Sequence, residues 1–223
     1  MHHPFPCFRI TAVLTGLAAA MGMLQAAPIT VPVQNGSFET VGATAAPWSY
    51  FPATTASNWA YTATSQYSIY KVEPTNPDAS FQQAADGTHV LNTVAATVLS
   101  QDLHYTVNPG DIVTLSFALG QSLKSPYSGG GSIEARILVG AVTAAQQYTV
   151  GTGTTKGDWY DKSFSYTATS GGTLSIAFAT VSDTPWLDNV GVTVTVPEPA
   201  GLGLFGIGRI GPGAAPARLS TLA

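Results

Sequence analysis

Apolar residues recur at every second position in run after run of this chain. Val113, Leu115, Phe117 and Leu119 alternate with Thr114, Ser116 and Ala118. Ile133, Ala135, Ile137 and Val139 are interleaved with Glu134, Arg136 and Leu138; Leu174, Ile176 and Phe178 alternate again; Val190, Val192, Val194 and Val196 close the series. A period of two sends successive side chains to opposite faces of a pleated strand, so each run reads as a half-buried strand. Turn chemistry lies between the runs, in Asp86-Gly87, Asn108-Pro109-Gly110-Asp111 and Ser170-Gly171-Gly172. About ten strands with such turns every ~8–15 residues, and no convincing helical spacing, predict an all-β chain. The architecture expected is a two-sheet antiparallel β-sandwich, specifically a jelly roll. No fixed-period repeat is present, which argues against a propeller or solenoid.

The last run, Trp186 to Val196, carries Asp188 at its start and is followed at once by Val196-Pro197-Glu198-Pro199. A central strand does not tolerate those prolines, so the folded domain ends here. The expectation is a single domain over 28–196 whose final strand pairs with Asn35-Gly36-Ser37-Phe38-Glu39. Ile29 to Val33, with Pro32, suits an edge. Residues 41 to 58 read as a long surface loop, and Gln146 to Val150 as a short strand.

Within 28–196 only Lys71, Lys124, Arg136, Lys156 and Lys162 are basic, against eleven Asp and Glu, a net charge of −6. An acidic domain with scattered bases has no footprint for nucleic acid or anionic lipid and suits divalent cations and neutral sugars. Cys7 is the only cysteine and precedes the domain, so disulfide and thiol chemistry in the domain are excluded.

The two ends read as addresses. Residues 1–26 have a positive Arg9, an apolar run from Ile10 to Leu24 and small residues at Ala26 and Ala27, the pattern of a signal peptide. After the domain come Val196, Pro197, Glu198 and Pro199, then the apolar Ala200 to Gly208. This end resembles the PEP-CTERM sorting signals of bacteria. The resemblance implies export, processing by an exosortase, a cell-surface or extracellular location, and membrane contact only through the end signals. The tail 197–223 departs from the pattern after 208: Arg209 interrupts the apolar run, Pro212 and Pro216 would break a helix, and Arg209 and Arg218 are not clustered.

Four further pieces occur in order across nearly all of residues 29 to 196: Asn35-Gly36-Ser37-Phe38-Glu39, Asp86-Gly87-Thr88-His89-Val90-Leu91, Val107-Asn108-Pro109-Gly110 and Leu187-Asp188-Asn189-Val190. In this the chain resembles the galactose-binding-like jelly rolls of carbohydrate-binding modules. The resemblance implies a structural calcium tying the first and last strands, with Glu39 and Asp188 as its carboxylate ligands. Ca²⁺ takes six to eight oxygens, and two buried acids would otherwise repel. The alternative is that the two acids are separately solvated or cap loop backbone.

Sugar binding needs flat aromatic faces with planar polar groups beside them. The candidates in loops are Trp48, Tyr50, Tyr127 and Trp186, whereas Trp59 and Trp159, at strand starts, read as core. Catalysis has little support. There is no Gly-x-Ser-x-Gly, since Gly120-Gln121-Ser122-Leu123-Lys124 lacks the second glycine, and no clustered histidines, since His89 and His104 stand apart. Gly151 to Lys156 lacks the spacing of a phosphate loop. The expected protein is an exported, non-catalytic, carbohydrate-binding surface or matrix protein with a structural calcium and a polysaccharide partner. A purely structural exopolysaccharide or biofilm component is the alternative, and a glycoside hydrolase the third reading.

Overall fold

Among the described residues twelve strands form where β-branched and aromatic residues alternate with small polar ones. The computed structural model describes residues 26–40, 48–50, 58–62, 68–72, 81–124 and 129–198. In chain order these give β1 (Ile29–Val31), β2 (Trp48–Tyr50), β3 (Ala60–Thr62), β4 (Ser68–Lys71), β5 (His89–Asn92) and β6 (Val98–Val107). There follow β7 (Ile112–Gly120), β8 (Gly131–Val139), β9 (Val142–Val150), β10 (Trp159–Thr167), β11 (Gly172–Asp183) and β12 (Trp186–Thr195). The chain is all-β with every strand pair antiparallel, as the alternation predicts. Among the described residues no helix is long and apolar enough to cross a membrane. Gln25–Pro197 is one compact unit. The signal-peptide reading of 1–26 and the sorting tail beyond Glu198 fall almost wholly outside the described residues.

One sheet runs β10-β7-β12-β5-β4-β2, with β1 added against β12; the other runs β3-β6-β11-β8-β9. Their inner faces meet through Phe117 of β7 and Phe178 of β11, which sit edge-to-face at 5.1 Å. Leu115, Leu119, Ile133, Ile137, Val192 and Val194 fill the layer around them and are almost fully buried. At roughly 1.5–3 kcal/mol for each such side chain, this layer is the main favourable term in folding. A second cluster of Tyr70, Val72, Phe81, Val90 and Trp186 lies apart from it.

The final strand pairs differently from the sequence expectation. Its N-terminal partner is Ile29–Val31, with Val31 opposite Val192, and not Asn35–Glu39. On the side away from β7, β12 pairs with β5 at Trp186 and Leu187, then with β1 from Val192 onward. Between these partners the register against β7 shifts, and Asn189 takes a positive φ of 50°, a conformation Asn tolerates better than most residues. The Asn35–Glu39 segment fills this gap as a turn, with Val190 N–H donating to Gly36 C=O at 3.0 Å. A Cβ at Gly36 would lie 2.4 Å from the Val190 main-chain oxygen, so the close approach needs glycine. The 41–58 stretch is not a continuous loop either: Trp48–Tyr50 pairs with β4. The short strand read at Gln146–Val150 is the second half of β9, a full nine-residue partner of β8.

Candidate functional site

The gap in β12 puts two acids on one loop. Asp86-Gly87 makes the turn the sequence predicts, with Gly87 at φ 65°. Asp188, with 0% exposure, reaches the front of that turn: its Oδ2 accepts Ala85 N–H and Asp86 N–H, both at 2.9 Å, and its Oδ1 accepts Asn189 N–H at 2.8 Å. Glu39 takes the other end. Its Oε1 accepts Thr88 N–H and His89 N–H, each at 2.7 Å, while Oε2 faces the Thr88 hydroxyl at 3.0 Å and His89 Nδ1 at 2.9 Å. Ser37 Oγ donates to Asp86 Oδ2 at 2.5 Å, adding a third tie between the first segment and the loop.

The two carboxyls differ in electrostatics. Burial pushes Asp188 up from 3.8 to about 7, against the three N–H groups that favour its ionised form, and nearby Asp86 adds repulsion. For Glu39 burial also raises, but hydrogen bonds from His89 and Thr88 outweigh it and hold the group below its ordinary value. A buried carboxylate beside a second acid is chemistry that a hard cation relieves, and Asp188 Oδ1 accepts one N–H with lone-pair capacity left. Carboxylate oxygens are donors of the kind calcium takes. Among the described residues, however, no three His, Cys, Asp or Glu converge on one point. A cation here would draw most of its ligands from backbone oxygens and water.

A cleft of about 380 Å³ opens on the other side of the same loop. Gln83 to Ala85 form one wall, and Asp158, Trp159, Tyr160 and Asp161 at the start of β10 form another. Trp159 stacks on buried Phe81 at 4.5 Å and donates its indole N–H to Gln83 C=O at 3.0 Å, so the ring is fixed on both walls. Tyr160 is held by Thr155 N–H donating to its hydroxyl at 2.6 Å, and Lys162 Nζ lies 5.5 Å from the centre of its ring. Trp159 and Tyr160 are neighbours in β10 and turn to opposite faces, Trp159 towards Phe81 and Tyr160 towards the main core, so the cleft offers carboxylate and carbonyl oxygens that accept hydrogen bonds from hydroxyls beside a single indole.

Of the aromatics named from sequence, only the Trp186 side chain falls within the described residues, and it does not line this cleft. Trp186 is a correction: it is fully buried, edge-on to Tyr70 and Phe81, and offers no face to solvent. Leu187 takes the face towards the main core, so Trp186 turns to the other face of the sheet, where Tyr70, Phe81 and Val90 cover it. Trp48 and Tyr50 have described backbone in β2, but their side chains lie outside the described residues, as does Tyr127. Trp59 is core, as expected. Trp159 is only half-buried and lines the cleft, against the expectation of a core residue. The Asp158-Trp159-Tyr160-Asp161 string was the available signal, since two acids beside adjacent aromatics are unusual in a core strand. Of the sorting motif, Val196, Pro197 and Glu198 are exposed, and Pro199 lies outside the described residues.

Residues 29–193 match the model of the HpiC1-like family, described as HpiC1 cyclase. No curated protein matches the sequence. Among solved structures, an arabinose-bound α-L-arabinofuranosidase shares the fold at TM-score 0.50 and 12% identity, over 74% of this chain and 26% of that enzyme's. The CBM22-1 xylan-binding domain of Paenibacillus barcinonensis Xyn10C is similar at TM-score 0.43 and 14% identity, over 63% of this chain and 87% of its own. TmCBM61, solved in complex with beta-1,4-galactotriose, gives 0.45 and 15%, over 74% and 97%.

Proposed function

The chain belongs to the HpiC1-like family, and from the cleft it carries we propose a non-catalytic carbohydrate-binding protein of the bacterial surface or matrix. The observation that carries this reading is the joint lining of one cleft by Trp159, Tyr160, Asp158 and Asp161. The Trp159 ring offers an apolar surface for the C–H face of a pyranose, and the acids accept hydrogen bonds from its hydroxyls. Structures of this fold solved with bound sugars, or named for xylan binding, support the reading by analogy. The end signals add the proposal of export and exosortase processing at Val196–Pro199. Calcium held near Asp188 and Glu39 is proposed as a structural ion that keeps the loop behind the cleft wall in place.

A second reading, cyclase activity, is favoured by the family match. A cyclisation started by protonation needs an acid in reach of the substrate. Asp188 titrates near neutrality, but it is wholly covered and its oxygens hold backbone N–H groups. That geometry argues against Asp188 as the proton donor. Titration calorimetry against soluble xylan, β-galactan and β-glucan oligosaccharides tests the choice. Saturable binding lost in Tyr160→Ala and Asp158→Asn supports the proposal; no binding to any of them by a folded protein sinks it.

A further inference from the structure

The cleft beside Trp159 is unequal in what it can donate and accept. Several of its N–H groups are already committed. Ala85 N–H goes to Asp188 at 2.9 Å, Gly157 N–H to Gln121 C=O at 2.7 Å, and the Trp159 indole N–H to Gln83 C=O at 3.0 Å. The Tyr160 hydroxyl accepts Thr155 N–H, and its ring packs on the main core. The side-chain groups left to a ligand are the Gln83 amide and the carboxylates of Asp158 and Asp161. Both acids are exposed, and among the described residues neither forms an ion pair. No Lys, Arg or His among the described residues lines the cleft. Lys162 follows Asp161 in β10 and turns to the opposite face, where its Nζ lies over the Tyr160 ring.

Asp161 stands two residues after Trp159 in the same strand, so carboxylate and indole share one face of it. The indole is held on Phe81 at 4.5 Å and stays half-exposed. A fixed aromatic ring beside two carboxylates without counter-charges attracts an organic cation twice, through the ring quadrupole and through charge-assisted hydrogen bonds. A neutral sugar can donate to the same carboxylates, but it displaces their water and leaves their charge uncompensated. An N-acetyl group adds a carbonyl for which Gln83 is the one side-chain donor. A hydrated divalent cation draws no benefit from the indole, and among the described residues no three acids converge to replace its water. The net charge of −6 over 28–196 steers cations towards the domain as well.

Resting on the carbohydrate-binding reading of this cleft, we propose that its ligand is a polysaccharide with free amino groups, a de-N-acetylated hexosamine chain. The ammonium pairs with Asp158 and Asp161, and the sugar ring lies against Trp159.

Three β-1,4-linked hexaoses that differ only at C2 isolate the charge: cellohexaose with a hydroxyl, the N-acetylglucosamine hexaose with an acetamide, and the glucosamine hexaose with an ammonium. They are compared by titration calorimetry on the purified full chain at about pH 6, where carboxylates and amines are both ionised. The glucosamine hexaose should bind about tenfold more tightly than the other two, the combined worth of two exposed ion pairs. High salt should shrink that preference. Asp161→Asn should bring the glucosamine hexaose to within about threefold of cellohexaose, since one of the two pairs is lost. Asp102→Asn, at an exposed acid on β6 of the other sheet, should leave the preference unchanged. Circular dichroism and the melting midpoint establish that each variant is folded. Equal affinity for the three hexaoses, or a preference for the acetamide, overturns the amino-sugar proposal and leaves the carbohydrate-binding reading standing. Equal losses in Asp161→Asn and Asp102→Asn trace the preference to net charge and overturn it too. No binding of any of the three by the folded protein removes the reading and the proposal together.

Discussion

Glu39 and Asp188 grip opposite ends of one short loop. Asp188 binds the N–H groups of Ala85 and Asp86, and Glu39 those of Thr88 and His89. The first and last segments of the domain are thereby joined through Ala85–His89, in addition to the β1–β12 ladder. The same loop begins at a wall of the cleft, since Ala85 belongs to both. Fold closure and site geometry share one set of hydrogen bonds.

The clamp makes stability depend on pH in two opposed ways. Glu39 has a folded value below 4.5, so its contribution is present above that pH and is lost as pH falls through the folded value. Asp188 is raised from 3.8 to about 7, so the native state retains a proton that the unfolded chain releases. Its contribution is present at low pH and is lost as pH rises towards 7. At roughly 1.4 kcal/mol per unit the second effect amounts to at most about 4 kcal/mol. In the presence of a chelator, the urea midpoint should peak at about pH 4, where the two opposed slopes cancel, and decline from there towards neutrality. Asp188→Asn should remove the neutral-side decline and leave the acid side. A decline unchanged in that variant rules out Asp188 as its source.

The proposed calcium would act on the same limb. A cation that binds the ionised Asp188 stabilises the native state by mass action and offsets the neutral-pH decline. Added Ca²⁺ at pH 7.5 should raise the melting temperature of the wild type, and EDTA should reverse the rise. Glu39→Gln and Asp188→Asn should each abolish the increment. Identical wild-type midpoints with Ca²⁺ and with EDTA sink the shared-cation proposal and leave the hydrogen-bonded clamp as the whole connection.

Gly120 sets the position of Trp159. The two are paired across β7 and β10, and a Cβ at Gly120 would lie 2.8 Å from the Trp159 ring and 2.9 Å from Phe81. Gly120→Ala should displace the Trp159–Phe81 stack and cost about 1–3 kcal/mol, the usual penalty of overpacking. If the cleft binds carbohydrate, affinity should fall with it, in contrast to an exposed substitution such as Thr143→Ala. Chemical denaturation together with glycan titration checks both halves.

Much of the fold is legible in the sequence because a period of two is a local property. Val113 to Leu119 and Leu174 to Phe178 can be assigned to strands without knowing their partners. Pairing is not local. Asn35-Gly36-Ser37-Phe38-Glu39 resembles a partner for β12, but Ile29–Val31 takes the ladder and leaves that segment to fill the bulge at Asn189. Glu39 and Asp188 stand out in the sequence as acids at the two ends of the domain, while their use of main-chain N–H groups depends on where the 85–89 loop falls. The aromatics were the least legible. Trp159 and Trp186 each begin a strand, and only the sheet order separates them: β10 is an edge, whereas β12 is enclosed by β7, β5 and β1.

Trp186 offers a test of that difference. Its ring is wholly buried between Tyr70 and Phe81, yet its indole N–H is without a hydrogen-bond partner. An unpaired buried donor costs about 1–3 kcal/mol, which offsets part of what the ring's burial contributes. Trp186→Phe removes that donor with part of the ring, so loss of packing and relief of the orphan N–H act in opposite directions. The expected change in unfolding free energy is within about 1 kcal/mol, against about 3–5 kcal/mol for Trp186→Ala. Phe81 rests on Trp186 and carries Trp159, so the alanine variant should also loosen the cleft and the phenylalanine variant should not. Urea denaturation and Trp159 fluorescence in the two variants measure this. Equal destabilisation by Phe and by Ala would show that the indole N–H is satisfied after all.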